Sequence, residues 1–98
     1  MLTIVAKMKI KSGREQDAEA ALQDMIAYVR SAEKGTLRYA LHRAVGDPTH
    51  LLMYEQYADQ AAVDMHGTSD RIQRLFATLA PLLDGQPTIE MYDEVATK

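Results

Sequence analysis

The sequence contains no cysteine and no tryptophan, and only one phenylalanine. Without cysteine the fold has no disulfides, and thiolate nucleophiles, iron–sulfur clusters and thiolate zinc sites are excluded. Neither sign of charge dominates, because 11 Lys and Arg stand against 14 Asp and Glu. The basic residues are scattered, so no nucleic-acid surface is expected. No apolar run approaches the roughly 20 residues of a membrane span, and a soluble cytoplasmic protein without membrane contact is expected.

The 98 residues are 47% apolar and 26% charged, which is typical of an ordinary globular protein. Residues 1–98 are predicted to form one domain, because no linker or low-complexity stretch interrupts them. A chain this short buries a modest core, so a second subunit would be a natural source of further burial.

Hydrophobic periodicity predicts four strands and a helical layer. Alternation predicts strands over Thr3 to Lys11, Thr36 to Ala44, His50 to Tyr57 and Thr88 to Ala96. Apolar spacings of three and four predict a helix between Arg14 and Glu33, ended by Gly35. The second helical region is predicted in two pieces, with Asp59 capping the first, Thr68 or Ser69 capping the second, and Pro81 weakening or ending it.

This βαββαβ order predicts an α+β, ferredoxin-like sandwich with a four-stranded antiparallel sheet and the helices on one face. In the third strand Leu51, Met53 and Tyr57 lie on one face, while Leu52 and Tyr54 lie on the other. Both faces therefore favour burial. A second copy packed sheet to sheet through a two-fold axis would cover the open face, which predicts a homodimer.

One further pattern extends over nearly all of the chain. The opening strand is followed by Lys-Ser-Gly-Arg-Glu. The middle of the chain then carries a spaced pattern made of Gly35, Leu37, Tyr39, Leu41, His42, Arg43, Asp47, Pro48, Glu55, Tyr57, Asp59, Ala62, Val63, His66 and Ser69. The closing segment carries Pro87, Ile89 and Tyr92. This pattern resembles the antibiotic biosynthesis monooxygenase family, and the resemblance implies a dimeric α+β barrel.

The chain also departs from the family pattern. Members often have Trp where Tyr57 stands and a second His where Arg71 stands. The haem-degrading branch uses an Asn, a Trp and a His around the porphyrin. This chain has neither Asn nor Trp, so that branch is disfavoured.

The resemblance implies oxygenation of an electron-rich phenol or hydroquinone by dioxygen without metal or flavin. The resemblance therefore implies that the reaction needs no cofactor and that the partner is a small aromatic substrate. A phenol loses its proton near pH 10, so the protein must supply a base and stabilise the phenolate oxygen. An apolar cavity between sheet and helices would hold the ring.

His66 is the first candidate for the base, because histidine titrates near neutral pH and the helix stripe could point it toward the sheet. The alternative is a structural role, in which the histidine caps the helix end. Arg71 could replace the family's second His as an anion-binding group, or it could be a solvated surface arginine. Glu55 could orient His66 or Arg71, pair across the dimer, or form a purely structural pair, since a buried carboxylate needs a partner.

The substrate-binding candidates are Tyr57, which occupies the family's Trp position, His42, which could line the cavity or the dimer seam, and Phe76, Tyr92 and Met53. Aromatic residues at such spacing are also ordinary core or interface residues. No metal site is predicted, because no two histidines have the helical i, i+4 spacing.

Two other functions stay open at this point. One is an isomerase or lyase acting on a small oxygenated metabolite, with His66 and Glu55 moving a proton and oxygen playing no part. The other is a non-catalytic, stress-response module that binds a small apolar ligand.

Overall fold

The computed structural model describes residues 1–98 and contains a four-stranded antiparallel sheet covered by helices. The strands are β1 (Leu2–Lys9), β2 (Thr36–Ala44), β3 (Asp47–Tyr57) and β4 (Thr88–Asp93), in the spatial order β2-β3-β1-β4. The helices are α1 (Glu15–Ala32), α2 (Gln60–Thr68) and α3 (Asp70–Leu79), and a 3₁₀ turn follows at Ala80–Leu82. The predicted ferredoxin-like α+β fold is confirmed.

The core lies between the sheet and the helices. From α1 it takes the predicted stripe Ala18, Leu22, Met25 and Val29, all buried. From the sheet it takes the alternate residues of β1 and β3, and from α3 it takes Ile72, Leu75 and Leu79. The period of 3.6 in the helices and of 2 in the strands therefore brings the apolar residues to one layer.

The helix ends follow the predicted capping chemistry. Asp59 accepts a hydrogen bond from the backbone N–H of Ala62 at 2.9 Å, and Ser69 accepts one from Ile72 N–H at 3.1 Å. Both are N-cap bonds, which satisfy donors that the first turn of a helix leaves free. Helix α3 ends before Pro81, as predicted.

Several boundaries differ from prediction. The β2–β3 turn is Val45–Gly46, because Ala44 already pairs with Asp47, and Gly46 supplies the positive φ of 84°. Strand β1 ends at Lys9 and β4 at Asp93, so both are shorter than the alternation indicated.

Gly35 also has a different role from the predicted helix-ending one. Its φ is not positive, and α1 already ends at Ala32. A Cβ at Gly35 would lie 2.6 Å from the Cβ of Ala62 in α2. The glycine is needed because the start of α2 packs directly on the backbone that enters β2.

The outer face of the sheet is covered by no helix. Val5, Leu52 and Tyr54 lie there half-buried, and the guanidinium of Arg38 lies 5.7 Å from the centre of the Tyr54 ring. The face is therefore apolar at its centre, as the alternation in the third strand predicted. No helix is long and apolar enough to cross a membrane.

Candidate functional site

An apolar cavity of about 380 Å³ lies between the helix-covered face of the sheet and helices α2 and α3. Eighteen residues line it, and 14 of them are hydrophobic. Only Tyr39, Glu55 and His66 bring ionisable side chains to its wall. Phe76 of α3 and Ile89 of β4 are both about half exposed, so the cavity reaches the surface between these two elements.

His66 is held on the cavity wall by a buried carboxylate. Its Nδ1 lies 2.8 Å from Oε1 of Glu33, and both side chains are buried. A carboxylate accepts hydrogen bonds, so this contact assigns the ring proton to Nδ1. Nε2 makes no hydrogen bond within the protein, and its lone pair is available to a ligand.

Glu33 owes its position to the end of α1. It is the C-cap residue of that helix, and its backbone N–H donates to the carbonyl of Val29. Its Oε1 also accepts a hydrogen bond from the Thr36 hydroxyl at 3.2 Å, while Oε2 is buried without a partner. Two donors on one oxygen fix the carboxylate, and its second oxygen has no hydrogen-bond partner.

Glu33 was not among the predicted site residues. In the sequence it is an acidic residue at the end of a surface helix, where a solvated side chain is the ordinary expectation. The one available signal was its place two residues before Gly35, whose close contact with α2 brings the segment to His66.

Glu55 forms a second buried pair on the sheet side of the cavity. The Tyr57 hydroxyl donates to Oε1 of Glu55 at 2.6 Å, and both residues are buried. Burial raises the pKa of Glu55 above its usual range, although the Tyr57 hydrogen bond and nearby His66 act in the opposite direction. Of the predicted roles of Glu55, the structural pair is the contact present in the structure.

Two tyrosine rings pack against the imidazole of His66. Tyr39 lies edge-on to His66 with ring centres 5.1 Å apart, and Tyr57 is tilted against it at 5.6 Å. Burial and, next, the negative charges of Glu55 and Glu33 raise the pKa of the Tyr39 hydroxyl, so it stays protonated at neutral pH. Sequence reasoning assigned Tyr39 to the core, because its spacing in β2 is that of any inward-facing strand residue.

Two more of the predicted binding residues, Met53 and Phe76, line the cavity with His66 and Glu55. Tyr57 does not line it. Its hydroxyl donates to Glu55, so it has no free donor for a ligand in the structure.

Three of the predicted residues, Arg71, His42 and Tyr92, lie away from the cavity. The guanidinium of Arg71 lies 4.6 Å from the centre of the Tyr28 ring, in a separate groove between α1 and α3. His42 and Tyr92 project from the outer face of the sheet, because they pair with Leu52 and Thr3 in the register. For His42 this leaves the alternative place at a dimer seam.

The arrangement is suited to accepting a proton from a ligand in an apolar space. His66 lines the cavity with no hydrogen bond at Nε2, Glu33 would stabilise the imidazolium that would form, and the ring of protonated Tyr39 packs edge-on to the imidazole. No three histidine, aspartate or glutamate side chains come together as metal ligands would.

Comparisons with known proteins identify the family of this chain. The sequence profile described as "Antibiotic biosynthesis monooxygenase" matches residues 1–78. "Putative monooxygenase YcnE" of Bacillus subtilis (strain 168) is 28% identical over 83 residues, which cover 85% of this chain and 86% of that protein. These two matches support a monooxygenase in general terms.

Solved structures carry the same fold over nearly their whole length. A "putative antibiotic biosynthesis monooxygenase" from Caulobacter crescentus CB15 superposes with a TM-score of 0.92 at 29% identity, covering 97% of this chain and 90% of that one. A Shewanella oneidensis protein superposes with a TM-score of 0.84 at 32% identity, covering 93% and 87%. The chain belongs to the antibiotic biosynthesis monooxygenase family.

Proposed function

We propose that this protein is a cofactor-independent monooxygenase that oxidises a small hydroquinone or polycyclic phenol with dioxygen. The observation that carries the proposal is His66, which presents a free Nε2 to an apolar cavity while Glu33 holds its Nδ1 at 2.8 Å. Family membership and the monooxygenase-named relatives support the reaction class.

The first step is the removal of a phenolic proton. A free phenol is almost entirely protonated at neutral pH, because its pKa lies near 10. In the cavity its O–H donates to Nε2 of His66, and the proton moves to the ring as the phenolate forms. Glu33 then lies against the imidazolium, and Tyr39, which packs against His66 and also lines the cavity, is the candidate donor for the phenolate oxygen.

The substrate supplies every electron that dioxygen needs. A hydroquinone C₆H₆O₂ and O₂ give a hydroxyquinone C₆H₄O₃ and H₂O, so one oxygen atom enters the ring and the other leaves as water. Both phenolic protons and the displaced ring hydrogen are accounted for in the water and the new hydroxyl group. No external reductant is required, and the protein's tasks are binding and proton transfer.

The size of the cavity supports a ligand of one or two fused rings. An apolar protein cavity of about 150 Å³ accommodates benzene. The cavity here is about 380 Å³, and its wall is largely hydrocarbon. Such a wall binds an aromatic ring by burial and keeps water from the phenolate.

The outer face of the sheet supports pairing with a second copy. Val5, Leu52 and Tyr54 make this face apolar, and no helix of the chain covers them. Two such faces packed through a two-fold axis bury the same residues from each copy. The proposed assembly is a homodimer with the two sheets face to face and His42 at the seam.

The proposal is tested by oxygen uptake with 1,4-naphthohydroquinone, corrected for the rate without protein. We expect wild type to accelerate uptake and His66→Gln to lower kcat by about 10²- to 10⁴-fold, the usual contribution of a general base. His50→Gln is the matched control, because His50 is an exposed histidine of the β2–β3 hairpin.

Two outcomes contradict the proposal. Oxygen uptake no faster than without protein, over hydroquinones of one to three rings, would remove the oxygenase. Product formation that proceeds equally under argon would instead indicate the isomerase or lyase that the sequence left open.

A further inference from the structure

We infer that the cavity selects uncharged aromatic ligands and rejects those that carry a carboxylate, with Glu55 as a specificity-determining residue. This rests on the proposed function only in taking the His66 cavity as the ligand site. It adds a statement about the ligand that the reaction itself does not require, because a phenol ring can carry an acidic substituent and still be oxygenated.

The first support is the absence of a cation for an acidic substituent to bind. No lysine or arginine lines the cavity, and its ionisable residues are Tyr39, Glu55 and His66. Arg71 lies in the groove between α1 and α3 instead. A ligand carboxylate entering the cavity would leave water without gaining a paired arginine or lysine.

The second support is that His66 already has an acidic partner. Its Nδ1 is bound to Glu33, whose Oε2 is buried and has no other partner. When His66 is protonated, Glu33 neutralises it, and no net positive charge remains for an anionic ligand. A carboxylate placed beside His66 would therefore lie next to an imidazole that already has a carboxylate partner.

The third support is Glu55, which lines the cavity from strand β3. It is only 6% exposed, and its partner is a neutral hydroxyl, that of Tyr57, rather than a cation. When ionised it repels an anionic ligand, and the repulsion is strong because the surrounding wall is apolar. When protonated it still offers no positive charge.

The ligand class can be measured by binding alone, under argon, with two ligands that differ in one charge. The probes are 6-hydroxynaphthalene-2-carboxylate and its methyl ester, which have the same two rings and the same hydroxyl. Titration calorimetry at pH 7 should show the ester binding at least about tenfold more tightly than the acid. Equal binding, tighter binding of the acid, or no binding of either ligand would overturn the inference.

The residue assignment is tested by Glu55→Gln, which keeps an acceptor for the Tyr57 hydroxyl and removes the charge. We expect the acid to gain at least about threefold in affinity while the ester changes little. Asp24→Asn removes an exposed carboxylate from α1, in the other groove, and should leave the ratio at its wild-type value. A ratio that is unchanged in Glu55→Gln would refute the role of this residue.

Binding and turnover fail separately in this design. A preference for the ester without oxygen uptake would remove the oxygenase and leave the ligand class in place. Oxygen uptake with equal binding of acid and ester would do the reverse. If Glu55→Gln does not fold, the wild-type pair of ligands still decides the charge preference.

Discussion

Glu55 shows what a buried carboxylate does to the stability of the protein. Burial is the largest effect on it and raises its pKa above the ordinary value of 4.5. As the pH rises through that ordinary value toward the higher native value, the unfolded chain loses this proton first. The native state then binds more protons than the unfolded state, so this group makes stability fall with rising pH in that window.

Glu55→Gln should remove this pH-dependent loss. We expect the free energy of unfolding of the variant to increase relative to that of wild type as the pH rises from about 4. Urea denaturation at a series of pH values measures this difference. Asp24→Asn is the matched control for removing a negative charge from the surface. A constant difference between Glu55→Gln and wild type over the whole range would contradict the direction of the shift.

At this scale the sequence located His66 on the wall of the cavity but missed its partner. Histidine is recognisable because few side chains titrate near neutral pH. Glu33 and Tyr39 carry no such mark, because an acid at a helix end and a tyrosine in a strand are ordinary residues of a surface and a core. Arg71 was misplaced, since a position in the first turn of a helix does not say which neighbour the long side chain will contact.

At the scale of elements, the position of α2 depends on one close contact. The segment from Glu33 to β2 and the first turn of α2 meet where Gly35 faces Ala62, and the Ala58 N–H donates to the Gly35 carbonyl at 2.9 Å. The same contact holds Glu33 near His66, because both residues lie a few positions from it. Packing of two backbones thus sets the geometry of the proposed base.

Gly35→Ala should destabilise the protein by about 1–3 kcal/mol, the usual cost of forcing extra volume into a packed site. The new Cβ would lie 2.6 Å from that of Ala62. In an Ala62→Gly background the same change should cost less, even though glycine in a helix itself costs about 1 kcal/mol relative to alanine. A double-mutant cycle from urea denaturation measures this, and a coupling energy of zero would contradict the proposed contact.

The element order was predictable because each period was clear, and the ends were less so. Alternation continues past the last paired residue of β4, since Val95 follows the pattern of β4 but lies beyond Asp93, where the strand ends. The glycine after α1 fitted a common helix-ending pattern, yet its contact with Ala62 joins residues that are 27 positions apart in the sequence. Contacts of that kind are invisible to a local pattern.

At the scale of the whole molecule, the outer face of the sheet is the apolar surface that no helix of a single chain covers. Leu52 lies at its centre, half-buried, and pairs across the sheet with Lys7 and His42. In the proposed dimer each Leu52 would be covered by the other copy. A charged side chain at this position would be moved from water into the interface in both copies.

Leu52→Glu should therefore convert the dimer into a monomer. Sedimentation at micromolar concentration should give about twice the chain mass of 11.0 kDa for wild type and the chain mass for the variant. Gln73→Glu adds the same charge on the exposed side of α3 and should stay dimeric. A stably folded wild-type species of 11.0 kDa would contradict the pairing.

The central claim is that dioxygen reacts with a phenol that His66 has deprotonated, and the fate of labelled oxygen tests it most directly. 1,4-Naphthohydroquinone is incubated with ¹⁸O₂, and the product is trapped by reductive acetylation and weighed by mass spectrometry. We predict one ¹⁸O atom in each product molecule with wild type. With His66→Gln, after correction for the rate without protein, labelled product should form about 10²- to 10⁴-fold more slowly. Product formed at the wild-type rate without the label, or labelled product formed equally fast by His66→Gln, would contradict the claim.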